Sequence, residues 1–203
     1  MSDPATRAFW LRHLHRWHWI SAGLCLLGML LFAITGITLN HAGSIEAAAQ
    51  VTTRTGQLPA ALLETLSAAG NVGPLPEQVR SWIAANVGVA IDDRKPEWQK
   101  TEVYVSLPRP GGDAWLTIDR ATGDIEYELT DRGWISYLND LHKGRNAGAM
   151  WSLFIDAFAV ACLVFCITGF ILLQFHSARR PATWPIVGLG VVIPIVLILL
   201  FVH

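Results

Sequence analysis

From Trp17 to Leu39 the chain reads WHWISAGLCLLGMLLFAITGITL, without one formal charge. As a helix, such a run is long enough to cross a hydrocarbon core of ~30 Å. Two more runs follow. AMWSLFIDAFAVACLVFCITGFILLQF extends from Ala149 to Phe175 and holds a single acid, Asp156. WPIVGLGVVIPIVLILLFV extends from Trp184 to Val202, near the lower length limit, and its Pro194 predicts a kink of the kind membrane helices tolerate. Composition agrees with three spans. Charged residues are 15% of the chain and mean hydropathy is +0.39, whereas a soluble domain averages about 25% charged. A net charge of −1 gives no basic excess for nucleic acid, and that class is set aside.

The first run has a basic front, and EAAAQ at 46–50 resembles a cleavage site. A signal-peptide core is only ~7–15 apolar residues, so a retained helix is the better reading. Arg7, Arg12 and Arg16 precede the first span, and Arg179 and Arg180 lie between the second and third. The positive-inside rule puts these arginines in the cytoplasm, and the long connection and the C-terminus outside. The expected layout is a cytoplasmic segment (1–16), helix 1 (17–40), an outer region (41–148), helix 2 (149–176), a cytoplasmic loop (177–183) and helix 3 (184–203). Lys143 and Arg145, at the outer mouth of the second span, oppose the rule.

The outer region reads as a small α+β domain. LPEQVRSWIAANVG carries Val79, Trp82 and Ile83 at helical spacing. TEVYVSL alternates as a strand, and AWLTIDRATGDIEYEL reads as strand, Ala-Thr-Gly-Asp turn, strand. Residues 42–73, rich in Ala, Gly and Thr, are expected to be only partly ordered. The three cysteines, Cys25, Cys162 and Cys166, all sit in apolar runs, where a thiol acts as a small hydrophobe. No disulfide framework, covalent haem signature, phosphate loop or zinc pattern is present.

The two long spans share a phrase, Phe-x-Ile-Thr-Gly, at Phe32–Gly36 and Phe165–Gly169. With helix 1 running outward and helix 2 inward, the phrases would be related as an inverted repeat, with one equivalent site per face. The seven histidines sort the same way. His13, His15, His18 and His176 fall at the inner end, and His41, His142 and His203 at the outer end. Symmetry pairs His15 or His18 with His176 inside, and His41 with His142 outside.

Two imidazoles from facing helices in apolar surroundings suit axial ligation of a b-type haem. On this reading His15, His41, His142 and His176 would hold iron, with His18 an alternative for His15. Gly36 and Gly169 would admit a macrocycle or a close helix, and Thr35 and Thr168 would bond to their own backbones. Lys143 and Arg145 outside, and Arg12 or Arg16 inside, would face haem propionates. The bland reading is that each terminal histidine is solvated or bonded to a carbonyl, that Thr-Gly is packing, and that the aromatics are interfacial; spacing leaves the two readings even. His18 to His41 spans roughly 35 Å of straight helix, a long gap for direct tunnelling. Asp156, an acid within a span, is a functional candidate in its own right.

LHRW (Leu14–Trp17) opening a span, paired Thr-Gly steps, TIDRATGDIEYE in the outer region and DLHKGRNAG (Asp140–Gly148) before the second span together resemble the PepSY-associated transmembrane family, in its short three-span form. The resemblance implies a membrane α-helical fold of three spans, with a small periplasmic PepSY-like α+β domain between helices 1 and 2. It implies an inner-membrane protein with one or two b-type haems, passing electrons from a cytoplasmic or quinol donor to a periplasmic ferric chelate or flavoprotein. By motif it carries His15 and His142 over as ligands. A homodimer is compatible with it. The alternative is a haem-free membrane anchor whose PepSY-like module binds or regulates a periplasmic partner such as a peptidase. A third reading is metal handling by His41, His142 and His203.

Overall fold

The computed structural model describes residues 3–45, 48–70, 72–91 and 94–202. The chain forms two compact units, Met1–Leu31 with Phe154–His203 and Phe32–Leu153. The division falls within two long helices.

The first unit is helical. α1 (Pro4–Asn40) contributes its N-terminal part, α5 (Ala149–His176) its C-terminal part, and α6 (Thr183–Phe201) follows a short 3-10 turn at Ser177–Arg179. All three helices are long and apolar enough to span a membrane. α1 starts well before the apolar run, so the expected N-terminal segment is helical from Pro4. Proline suits a first helical position, where its missing N–H costs nothing, and Asp3 Oδ1 accepts the Ala5 N–H at 3.4 Å. The helices meet at Gly28, where the Phe158 ring occupies the place of a Cβ. Phe170 of α5 meets Trp184 of α6 edge-on, ring centres 5.6 Å apart. Helix α6 continues through Pro194.

The second unit is an α+β domain on a five-stranded antiparallel sheet in the order β1-β5-β4-β3-β2. The strands are β1 (Gln50–Gln57), β2 (Glu97–Trp98), β3 (Glu102–Ser106), β4 (Gly112–Asp119) and β5 (Asp124–Asp131). Alternation along β3 and β4 sends Val103, Val105, Leu116 and Ile118 to one face. That face packs under α2 (Ala60–Ala68) and α3 (Glu77–Asn86), which supply Leu66, Val79 and Ile83, all fully buried. Each such side chain contributes about 1.5–3 kcal/mol on burial. The expected β4–β5 hairpin is present. Its turn rests on Gly123 at φ +76° and on Asp119, whose carboxylate accepts the N–H groups of Ala121 and Thr122 at 2.8 Å each.

One expectation is corrected. Residues 50–57 and 60–68, read as partly ordered, form β1 and α2. β1 is exposed along nearly its whole length, so its sequence carries no alternation; its order comes from pairing all eight residues with β5. A further helix, α4 (Gly133–Lys143), was not anticipated. It ends on Gly144 in the left-handed region, φ 67°, where only glycine is free of a Cβ clash.

Candidate functional site

The repeated phrase builds the same structure in each unit, a cradle for one imidazole. In the helical unit the imidazole is His18, held by α5. Its ring stacks on Phe165 with centres 4.7 Å apart and planes 13° from parallel. Its Nδ1 lies 3.1 Å from Thr168 Oγ1 and 3.3 Å from the Phe165 carbonyl. Gly169 leaves room for the ring edge, since a Cβ there would stand 3.0 Å from His18 Cε1.

In the other unit the imidazole is His142, carried by α4 and held by the end of α1. Its ring lies 4.8 Å from Phe32, tilted by 46°. Its Nδ1 is 2.7 Å from Thr35 Oγ1, and Gly36 faces its Cε1 at 3.7 Å from a notional Cβ. Both threonines are buried and donate to their own helices: Thr35 to the Phe32 carbonyl at 3.2 Å, Thr168 to the Val164 carbonyl at 2.6 Å. Ile34 and Ile167, the middle residues of the phrase, point outward.

The Asp-Leu-His-x-Gly stretch explains how His142 reaches its cradle. Asp140 is buried and accepts the Gly111 N–H at 2.9 Å, tying α4 to the loop before β4. Next to it, Asn139 Oδ1 accepts the Thr38 hydroxyl at 2.7 Å. The Leu141 carbonyl accepts the Trp151 indole N–H at 2.9 Å. Three consecutive residues anchor the helix, and the fourth is delivered to Thr35.

The other histidines are arranged differently. His15 and His176 have ring centres 6.2 Å apart and planes 86° to one another. Each is tied through Nδ1 to its own helix, at the Leu11 and Leu172 carbonyls, 2.7 Å in both cases. A carbonyl only accepts, so in each neutral ring Nδ1 carries the proton and Nε2 keeps the lone pair. Among the described residues no hydrogen bond or ring contact joins His41 to His142. His41 is exposed and turns back to the Ile37 carbonyl at 3.0 Å, because a histidine one turn past an i−4 carbonyl satisfies it locally, while His142 is taken by Thr35. His13 rests on Phe9, ring centres 4.3 Å apart, and His203 lies outside the described residues.

Arg16, Lys143 and Arg145 are exposed, and Arg145 Nε is 3.6 Å from Asp140 Oδ1. Asp156 is exposed on α5, without a hydrogen bond or ion pair among the described residues. No group of three or more His, Cys, Asp or Glu side chains suited to a metal ion is formed among the described residues; the His41, His142 and His203 set of the third reading includes one residue outside them. Sequence reasoning missed Phe32, Phe165, Thr38, Asn139 and Asp140 as parts of the sites. The phenylalanines were visible as the first letter of the repeated phrase.

The architecture of three apolar helices, with a small sheet domain between the first two, now stands beside the paired cradles and the Asp-Leu-His stretch. The PepSY_TM-like family model matches residues 9–203, nearly the full chain. The chain belongs to the PepSY_TM-like family. It is a membrane protein of that family, and its helices imply a lipid environment. No curated protein and no solved structure shows a significant match.

Proposed function

We propose that this chain is an inner-membrane electron-transfer protein that holds b-type haem through imidazoles carried by α1, α4 and α5. The observation that carries the reading is the His15–His176 pair. Two axial imidazoles on one iron have ring centres roughly 6 Å apart, from a metal–nitrogen bond of ~2 Å on each side and roughly 1 Å from nitrogen to ring centre. The observed separation is 6.2 Å, and both rings have Nδ1 tied to a carbonyl and, among the described residues, Nε2 without a hydrogen-bond partner. A metal-bound histidine ordinarily has its other nitrogen donated to such an oxygen. The donor chemistry therefore fits the group.

His18, one turn from His15, is a second imidazole for that site. His142 is the imidazole of the other unit, and His41 supports it least. Arg16 and Lys143 would neutralise the carboxylates of a haem held beside them. When bound, haem supplies reversible one-electron storage. The chain's own contribution is to fix imidazole direction, to keep Nε2 unprotonated and to surround the site with hydrocarbon. The arginines flanking the spans support an orientation with the N-terminus in the cytoplasm. The domain between helices 1 and 2 would then meet a periplasmic acceptor, a ferric chelate or a flavoprotein, and a cytoplasmic or quinol donor would supply electrons.

Oxidised and dithionite-reduced spectra of the detergent-purified chain, with a pyridine haemochrome count, test the reading. A b-type spectrum that collapses in His15→Ala and His176→Ala is the expected result. Absence of haem from protein made with ample haem supply overturns it, and leaves a membrane-anchored domain that acts on a partner.

A further inference from the structure

We infer that Thr35 and Thr168 are positioning residues that set the tautomer of the cradled histidines, keeping the proton on Nδ1 of His142 and His18 and presenting a bare Nε2. A threonine hydroxyl has one proton to give and two lone pairs. In both cradles that proton is directed back along the helix, from Thr35 to the Phe32 carbonyl and from Thr168 to the Val164 carbonyl. Each hydroxyl therefore meets the imidazole with a lone pair, and the imidazole donates. For His18 a second observation fixes the same sense. Its Nδ1 is also 3.3 Å from the Phe165 carbonyl, which accepts only. The identical phrase assigns the same sense to His142, whose Nδ1 sits 2.7 Å from Thr35 Oγ1.

Among the described residues, Nε2 of each cradled ring has no hydrogen-bond partner. A neutral imidazole with Nδ1 donated and Nε2 bare is the form that binds a metal centre. The identity of that centre as haem rests on the function proposed above, whereas the tautomer does not. The cradles also differ in redundancy. His142 depends on one hydroxyl, while His18 has the Phe165 carbonyl as well.

The test is the protonation site of each imidazole in the full chain, haem-free, in detergent micelles at a pH where histidine is neutral. Isotope-labelled histidine and long-range proton–nitrogen correlation spectra report it directly, with signals assigned by single His→Gln variants. Wild type is expected to show His18 and His142 protonated at Nδ1. Thr35→Val is expected to shift the majority of His142 to the Nε2–H form without changing His18, and Thr35→Ser to restore Nδ1–H. Thr168→Val is expected to shift His18 less, because the Phe165 carbonyl remains. Wild-type His142 protonated at Nε2, or a Thr35→Val variant with unchanged His142, overturns the inference. Should Thr35→Val not fold, the wild-type and Thr35→Ser spectra decide it. A chain that never takes up haem but shows these tautomers would remove the haem reading and leave the inference standing.

Discussion

Gly169 and His18 are in van der Waals contact so close that a methyl group on Gly169 would stand 3.0 Å from His18 Cε1. The matching pair in the other cradle, Gly36 and His142, has 3.7 Å at the same point. One phrase thus holds two imidazoles at different tightness.

The difference predicts opposite signs for one substitution. Gly169→Ala requires the His18 ring, held by Phe165 and Thr168, to give by a few tenths of an ångström, and overpacking of this kind costs about 1–3 kcal/mol. Gly36→Ala meets only ordinary contact and gains up to about 1 kcal/mol of helix propensity. Thermal unfolding of both variants in the same detergent checks this. Equal destabilisation by the two alanines would show that the cradles are not what the glycines serve.

Asp140 links α4 to the sheet through the Gly111 N–H, and both groups are buried. Asp140→Ala leaves that N–H without an acceptor, at a cost of about 1–3 kcal/mol. Asp140→Asn keeps an acceptor oxygen and is expected to lose clearly less. The ion pair to Arg145 is half exposed and contributes little. The full chain's denaturation midpoint, read by near-ultraviolet circular dichroism, separates the two variants; identical losses would place the effect in charge rather than in the lost acceptor.

Asp119 has its carboxyl held below the ordinary carboxylate range, first by the Thr122 backbone N–H and then by that of Ala121. A depressed folded-state value means that its stabilising effect is present above the unfolded value of about 3.9 and is lost as pH falls through the folded one. The β4–β5 hairpin is therefore expected to weaken on acidification below about pH 4. Asp119→Asn, which still accepts hydrogen bonds but does not titrate there, is expected to flatten that part of the pH–stability curve. An unchanged curve in the variant would assign the acid sensitivity to other carboxylates.

The three spans were legible because hydrocarbon imposes one requirement on every residue of a run, and a contiguous apolar stretch satisfies it without reference to any other part of the chain. β3, β4, β5 and α3 were legible for a related reason, since each buries one face and carries its period of two or 3.6 in its own letters. β1 and α4 were not. β1 has almost nothing buried and is ordered by the hydrogen bonds of β5, and α4 is defined by anchors at Thr38, Gly111 and Trp151. Their signals are distributed over distant segments.

The histidines divide along the same line. The repeated Phe-x-Ile-Thr-Gly phrase by itself pointed to an equivalent site on each of the two long helices, because the same five positions recur in two spans. Which imidazole each phrase serves was decided only by tertiary structure. Symmetry of position pointed to His41 as the partner of His142, yet His41 satisfies its own helix and His142 reaches Thr35. A histidine at a helix end can bond the carbonyl four residues back or reach across to a neighbour. The choice depends on where the neighbouring backbone and hydroxyl lie, which is a property of packing.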